Sequence, residues 1–200
     1  RNDSGQLGNG TFIPAASPVA VSGLQSGVVQ VATGTSHACA ITGVGAVKCW
    51  GFNGSGQLGD GTTIARSIPV SVAGLSPGVV AIAAGSAHTC ALGATGGLRC
   101  WGANSSGQLG DGSTTLRFAP VDVSGLLSGV DSVVAAFSRT CAVTAAGGAR
   151  CWGFNGNGEV GDGTTTQRLV PTDVSGLTSG VARLSAAGSH TCAVTSTGGA

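Results

Sequence analysis

Short apolar runs separated by glycine-rich segments make up the whole chain, and this pattern returns every 51 residues. In the second copy one run follows a proline (Pro69–Val72), a nearly continuous apolar run follows (Val79–Ala84), and two more runs flank a short turn. Short runs bounded by Gly and Pro are typical of β-strands. Because proline lacks the ladder N–H, the first strand is expected at a sheet edge. The run Val79–Ala84, apolar on both faces, is expected innermost and between two layers.

The regularity of the repeat predicts the fold class. The motif Gly-Gln-Leu-Gly starts at residues 5, 56 and 107, Gly-Glu-Val-Gly starts at 158, and no copy contains an insertion or deletion. We interpret residues 1–200 as one array with units of about 1–48, 49–99, 100–150 and 151–200. Four tandem four-stranded units predict an all-β chain, a β-propeller with antiparallel blades. A sandwich or a β-solenoid is the alternative, although a solenoid usually repeats in shorter steps and a sandwich keeps a period less strictly.

The last two runs of each copy are expected to form a hairpin. Pairing Cys39 with Cys49 leaves the loop Gly43-Val44-Gly45, and the third loop residue is Gly in all four copies. Such three-residue loops commonly end with a left-handed residue, where Gly has no Cβ penalty. The same pairing places the cysteines on a non-hydrogen-bonded pair with Cα atoms roughly 4.5 Å apart, within the range that a disulfide accepts. The sequence therefore predicts three disulfides: Cys39–Cys49, Cys90–Cys100 and Cys141–Cys151.

Cys192 is the seventh cysteine, and the next step of the repeat places its partner at position 202, outside the 200 residues. We expect further blades to complete the fourth hairpin as part of a longer chain. The alternative is a neighbouring molecule that adds the strand.

Composition and charge narrow the function classes. The nine basic and eight acidic residues are scattered, and the net charge is +1, so no basic cluster predicts nucleic-acid binding. No apolar run is long enough to span a membrane. No Ser-His-Asp set with plausible reach, no glycine loop followed by Lys and no carboxylate cluster is present, so we expect neither catalytic residues nor a cofactor.

One polar position recurs two residues before the first cysteine of each hairpin. This ring could bind an acidic partner or a metal, or each side chain could bond a neighbouring loop and complete the inner turn. Arg139 argues against a metal because a guanidinium has no lone pair to donate. The structural role is therefore favoured, and the candidate binding ring comprises His37, His88, Arg139 and His190.

The Gly-Asp-Gly motifs have two interpretations. A calcium loop needs several oxygen ligands from a short stretch, and Glu159 would supply one beside Asp162. Gln57 and Gln108 stand at the position of Glu159 in other copies, which favours turn formation instead. The aspartates concerned are Asp60, Asp111 and Asp162.

Tryptophans and sequons complete the candidate sites. Each Trp follows a hairpin cysteine and so projects to the opposite strand face, toward the next blade. This favours packing between blades over a surface anchor for carbohydrate or protein. These residues are Trp50, Trp101 and Trp152.

Four asparagines begin N-x-S/T glycosylation sequons: Asn2, Asn9, Asn53 and Asn104.

The combined pattern resembles the regulator-of-chromosome-condensation repeat, in four registers over all 200 residues. The segments that carry the resemblance are Gly56–Gly61, Pro69–Val72, Gly85–Leu92 and Cys100–Gly102. It implies a β-propeller, typically of seven blades with four antiparallel strands each. The family's eukaryotic founder is a nuclear exchange factor for a small GTPase that also binds chromatin and uses an inserted hairpin. Here the copies have equal length, and paired cysteines suit an oxidising compartment, so the chain is more similar to bacterial-type secreted or surface members.

These features together predict a non-catalytic propeller module outside the cell or at its surface, with the periplasm as a further possibility. It is expected to bind a protein partner or to self-associate. One alternative is a guanine-nucleotide exchange or chromatin-associated regulator like the founder. Another is a subunit of an extracellular filament, which a neutral, glycine-rich repeat would suit.

Overall fold

The computed structural model describes all residues from Arg1 to Ala200 and consists of fourteen β-strands joined by turns and loops. Blade 1 contains β1 (Val28–Thr33), β2 (His37–Thr42), β3 (Val47–Gly51) and β4 (Arg66–Ser71). Blade 2 contains β5 (Val79–Ala84), β6 (His88–Gly93), β7 (Leu98–Gly102) and β8 (Arg117–Asp122). Blade 3 contains β9 (Val130–Ala136), β10 (Arg139–Thr144), β11 (Ala149–Gly153) and β12 (Arg168–Asp173). Blade 4 contains β13 (Val181–Ala187) and β14 (His190–Thr195). None of these elements is a helix that could cross a membrane.

The blades form a β-propeller, as the repeat predicts. Blades 1 to 3 are antiparallel four-stranded sheets whose strand order follows the chain, and blade 4 is an antiparallel pair. Neighbouring blades meet through their innermost strands, with β1 next to β5, β5 next to β9 and β9 next to β13. The position of Val79–Ala84 as the innermost strand of its sheet is thereby confirmed.

The proline-containing run lies at the outer edge, as predicted, but its place in the repeat differs from the expectation. Pro69 lies in β4, which pairs with β3 of the preceding hairpin, through Cys49↔Val70 for example. A blade therefore begins with the inner strand and ends with the proline strand, so grouping that strand with the hairpin after it is wrong. The loop over residues 52–65 decides this, because it folds the chain back onto β3. Residues 18–21 have no strand beside them, and no strand forms after Pro18.

The expectation that the inner strand is buried on both faces is also wrong. Val80 is 57% exposed, although Ile82 and Ala83 are buried. The pairing of β5 with β6 shifts between Val79 and Ala81, so Val80 is the extra residue of a β-bulge. A bulge leaves its residue unpaired and redirects it. The bulge recurs at the same place in all four inner strands.

The hairpin turns match the prediction closely. The Thr42 N–H donates to the Ala46 carbonyl at 2.9 Å, and the Gly45 N–H donates to the Thr42 carbonyl at 2.7 Å. Gly45 has a φ of 74°, the left-handed region expected for the third loop residue. The three-residue loop with a terminal glycine is therefore confirmed, and its hydrogen bonds repeat in the other three hairpins.

The hydrophobic core lies between blades. The first cluster combines Ile41 and Leu58 of blade 1 with Ile82 and Trp101 of blade 2. Equivalent clusters follow at the next two interfaces. Because each blade buries its faces only against its neighbours, contacts between blades, and not within them, supply most of the apolar burial.

Candidate functional site

The cysteines lie where the hairpin register places them. Cys39 is directly opposite Cys49 in the β2–β3 pair, with their Cα atoms 4.0 Å apart and their sulfur atoms 2.13 Å apart. The pairs in blades 2 and 3 have sulfur separations of 2.09 Å each. All six side chains are buried, whereas Cys192 is exposed and has no partner cysteine among residues 1–200. The three pairs at disulfide distance suit a non-reducing environment.

The recurring histidine position lies inside the propeller. His37 in β2 and His88 in β6 are 2% and 0% exposed. The His37 Nε2 lies 3.0 Å from the Thr89 hydroxyl oxygen of the next blade, and the His88 Nε2 lies 2.9 Å from that of Thr140. Each imidazole therefore bridges two blades.

The hydroxyl hydrogens of these threonines are already in use. Thr89 donates to the Gln57 carbonyl at 2.9 Å, and Thr140 donates to the Gln108 carbonyl at 2.8 Å. The threonine oxygens therefore act as acceptors for the imidazoles, so the Nε2–H is the donor and Nδ1 carries the lone pair. Neither Nδ1 has a hydrogen-bond partner.

Burial keeps both imidazoles neutral. It lowers the pKa of His37 from 6.5 to about 4. Burial, followed by the nearby His37, lowers the pKa of His88 to about 3. A charged imidazole would be desolvated at either place without an acceptor for its second N–H.

The third copy replaces histidine with Arg139, which is 2% exposed. Its guanidinium donates to the Thr191 hydroxyl at 3.0 Å, the Gly188 carbonyl at 2.7 Å, the Ala187 carbonyl at 3.2 Å and the His190 carbonyl. One side chain thus holds the inner turn of blade 4. Burial lowers its pKa, an effect that the negative charge of Glu159 opposes.

The four positions of the candidate binding ring do not form one open site. His37, His88 and Arg139 are buried and reach into the following blade, whereas the His190 side chain is exposed. Their hydrogen bonds are those of the structural role that the sequence favoured. A binding role of the ring stays a prediction.

The tryptophans pack between blades, as predicted, but the expected direction is wrong, because they face the preceding blade and not the next one. Trp101 in β7 is fully buried against Leu58, and its Nε1–H donates to the Gln57 carbonyl at 2.9 Å. Trp50 and Trp152 make the equivalent bonds one repeat earlier and later. Gly59 has a φ of 69°, and a Cβ there would lie 2.7 Å from the Trp101 Nε1. The second glycine of Gly-Gln-Leu-Gly is therefore required by the indole above it.

The aspartates of the Gly-Asp-Gly motifs organise turns, as predicted. Asp60 accepts hydrogen bonds from the Thr62 hydroxyl at 2.7 Å, the Asn53 side chain at 3.0 Å and the Arg66 Nε at 2.9 Å. Burial would raise the pKa of Asp60, but the bonds from Thr62 and Arg66 outweigh it and lower the pKa. The same balance lowers the pKa of Asp162 to about 2. Side-chain groups of the protein already donate hydrogen bonds to these carboxylates. No group of three His, Cys, Asp or Glu side chains that could hold a metal ion is present.

The loop asparagines have a role that sequence reasoning missed. Asn53 is fully buried. Its Oδ1 accepts the Leu58 N–H at 3.0 Å, and its Nδ2 donates to the Thr62 and Ile64 carbonyls at 3.0 and 3.2 Å. A buried amide with these partners is inaccessible for glycosylation in the folded protein. The signal was the repeat itself, since asparagine recurs in all four copies and the fourth, Asn155, begins no sequon.

One end of the propeller exposes large apolar side chains. The loop after each hairpin is tied to the inner turn, for example by the Phe154 N–H, which donates to the Ser138 carbonyl at 2.9 Å. Phe137 in that turn is 62% exposed and is the only residue other than glycine with a positive φ, 46°. We call this end the loop face, defined by Ile13, Phe52, Ile64, Phe137 and Phe154.

Comparison with known proteins agrees with this architecture. The model of the "Regulator of chromosome condensation (RCC1) repeat" matches residues 1–41, 45–92, 95–144 and 146–194. The repeated four-stranded blades define a repeat propeller. Because the matched segments cover nearly the whole chain, the chain belongs to the RCC1 repeat family.

Similar proteins share the repeat and differ in what surrounds it. The "Ultraviolet-B receptor UVR8" of Arabidopsis thaliana is 32% identical over 98% of this chain and 46% of its own length. The "Probable E3 ubiquitin-protein ligase HERC4" of Homo sapiens is 35% identical over 88% of this chain and 17% of its own. The chain therefore spans less than half the length of these curated relatives.

Two solved structures are similar in fold. Human WBSCR16 has a TM-score of 0.83 and 25% identity, over 98% of this chain and 54% of that one. Yeast RCC1 (Prp20) bound to Kap60 has a TM-score of 0.65 and 27% identity, over 74% and 37%.

Proposed function

We propose that the protein is a non-catalytic propeller module that binds a protein partner, at an extracellular or cell-surface location. The observation that carries the proposal is the loop face, on which Phe137, Ile64 and Phe52 are 62%, 61% and 43% exposed. Apolar groups gathered on one end of a soluble scaffold mark interaction surfaces. Aromatic residues are also enriched where proteins meet.

The charges near the loop face specify the chemistry of the partner. Asp60 lies 2.8 Å from the Arg66 guanidinium, and Asp111 lies 2.8 Å from that of Arg117. Because these charges are paired within the protein, little net charge remains to attract an ionic ligand. The partner is therefore expected to present an apolar, uncharged segment.

Two further observations support the proposal. Yeast RCC1 (Prp20) has been solved bound to Kap60, and Prp20p of Saccharomyces cerevisiae binds Gsp1p and histones, so proteins with this repeat bind other proteins. The buried cysteine pairs support the location, since disulfides persist in oxidising compartments and are rare in the cytosol and nucleus.

A photo-crosslinking residue at position 137 tests the binding role. In the native source, a crosslinker in place of Phe137 should yield one defined protein adduct. The matched control is Leu127, which is 65% exposed. It lies between β8 and β9, at the end of the propeller opposite the loop face. Equal adducts from both positions, or none from position 137, would refute binding through the loop face.

Two assays separate the alternatives. Acceleration of GDP release from a small GTPase would favour an exchange factor, as the 27% identity to yeast RCC1 permits. Fibres in electron micrographs of purified protein would favour the filament subunit. Non-reducing digestion and mass spectrometry test the location, because Cys90 and Cys100 open to alkylation without reductant would contradict an oxidising compartment.

A further inference from the structure

The interfaces between the first three blades each contain one buried imidazole, whereas the third interface contains a guanidinium. We propose that mild acid favours opening of the His37 and His88 interfaces and leaves the Arg139 interface unaffected, so a fall in pH loosens the propeller between defined blades. The interfaces differ in the hydrogen-bond partners that they offer to a charged side chain.

Neither imidazole has a nitrogen that can be protonated favourably while the interface is closed. The Nε2–H of His37 already donates to Thr89, whose own hydrogen is held by the Gln57 carbonyl at 2.9 Å. The proton must therefore bind Nδ1, which is buried and has no partner. A buried N–H without an acceptor and a buried charge without a counter-ion are both strongly unfavourable.

Each imidazole lies against the backbone of a glycine on the side of its Nδ1. A Cβ on Gly34 would lie 2.2 Å from the His37 Cε1 and 2.5 Å from its Nδ1. A Cβ on Gly85 would lie 2.1 and 2.5 Å from the same atoms of His88. The rings thus pack directly on glycine backbone, and relief requires the blades to move apart.

No carboxylate compensates the charge. Asp60 is bound by Arg66 and Asp111 by Arg117, each arginine being the first residue of the strand that follows the loop, and Asp122 is bound by Arg99. Both hydrogen-bonding nitrogens of each imidazole are accounted for without an acid. The charged side chains on the surrounding elements are Arg1, Asp3, Lys48, Asp60, Arg66, Arg99, Asp111, Arg117, Asp122, Asp131 and Arg139.

The third interface is different because Arg139 is charged in both states. Its donors reach Thr191, Gly188 and Ala187, so the charge is satisfied when the interface is closed. Guanidinium groups stay protonated throughout the physiological range. A fall in pH therefore does not change the charge of Arg139, and the opening equilibrium of this interface should stay constant.

The pH window follows from the sign of the shifts. The pKa values of His37 and His88 are lowered from 6.5 to about 4 and about 3, so the open state binds the protons. The closed state is fully favoured above pH 6.5 and loses its advantage as the pH falls from there toward 4. Between pH 7.5 and 5 each opening equilibrium should rise about 30-fold by linkage. The pKa values of Asp60, Asp111 and Asp162 are lowered, so these carboxylates stay ionised in this window.

Hydrogen exchange of the whole chain, corrected for the intrinsic pH dependence, tests the proposal. Amides at the His37 and His88 interfaces should open about 30-fold more at pH 5 than at pH 7.5, and those around Arg139 should not change. His37→Gln and His88→Gln keep an N–H donor but cannot take a proton, so each should abolish the rise at its own interface. Asp131→Asn is the matched control, because this exposed side chain lies in β9 beside the His88 interface but bonds neither imidazole, so its loss should leave the pH dependence intact.

Equal opening at all three interfaces, or a rise that survives in the Gln variants, would overturn the proposal. If the variants do not fold, the ring resonances of the native protein decide by NMR. His37 and His88 should remain neutral at pH 5 in the closed state. Protonation of either ring there without opening would also overturn it.

Discussion

Replacing Asn104 with alanine should unfold one loop anchor and destabilise the whole propeller. Asn104 is the blade 2 equivalent of Asn53 and is fully buried. Its Oδ1 accepts the Leu109 N–H at 3.0 Å, and its Nδ2 donates to the Ser113 and Thr115 carbonyls at 3.1 and 3.0 Å. Alanine removes these bonds, together with the contacts of Nδ2 to Asp111 and the Ser113 hydroxyl, and leaves the Leu109 N–H buried without an acceptor.

The expected loss can be worked out from these contacts. The two Nδ2 hydrogens each lose a bond that contributes about 1 kcal/mol net, and the orphaned Leu109 N–H adds about 1–3 kcal/mol, which gives roughly 3–5 kcal/mol in the free energy of unfolding. For a chain of this size the melting temperature should fall by about 10 °C. Asn104→Asp should be worse than alanine, because it turns an oxygen toward two carbonyls and the carboxylate of Asp111, which now bonds Nδ2 at 3.1 Å.

Urea unfolding followed by circular dichroism measures the effect under non-reducing conditions. Ser105→Ala is the control, since this neighbouring side chain is exposed, and its change should lie within about 0.5 kcal/mol of zero. If Asn104→Asp were as stable as the natural protein, the assigned hydrogen bonds would be incorrect. A stability order of Asn, then Ala, then Asp supports them.

Three further predictions follow from single contacts. Replacing Cys90 and Cys100 with alanine should lower the free energy of unfolding by roughly 2.5–3 kcal/mol, and urea curves that match with and without these cysteines would show that no crosslink forms. Gly59→Ala should lower the free energy of unfolding by more than about 2 kcal/mol, because alanine is strained in the left-handed region and its Cβ would collide with Trp101. A red-shifted tryptophan emission would report the displaced indole, whereas an unchanged spectrum and an unchanged stability would contradict the packing. Arg139→Lys keeps the charge but cannot reach four acceptors, so it should speed hydrogen exchange in blade 4, and unchanged exchange there would count against the anchor.

Local pattern alone predicted much of this molecule. The glycine-ended loop and the opposition of Cys39 and Cys49 depend on residues within one hairpin, so counting along two strands suffices. The burial of Trp101 follows from strand alternation. The sequence also favoured a structural role for the histidine position, although it could not identify Thr89 as the partner, because the two residues are 52 apart.

What the sequence by itself determined is the period of the repeat, the hairpin with its turn, and the opposite faces of cysteine and tryptophan on the hairpin strand, all of which are set by neighbours in the chain. Only the tertiary structure decided which strands belong to the same blade and which side chains the packing of blades buries. It assigned the proline strand to the preceding blade, turned Val80 outward at a bulge, and buried Asn53 where a sequon had been noted. These outcomes depend on which loop folds back on which sheet and on which blade packs next to it. Such contacts join residues that no local pattern relates, so the free energy that selects them exists only in the assembled propeller.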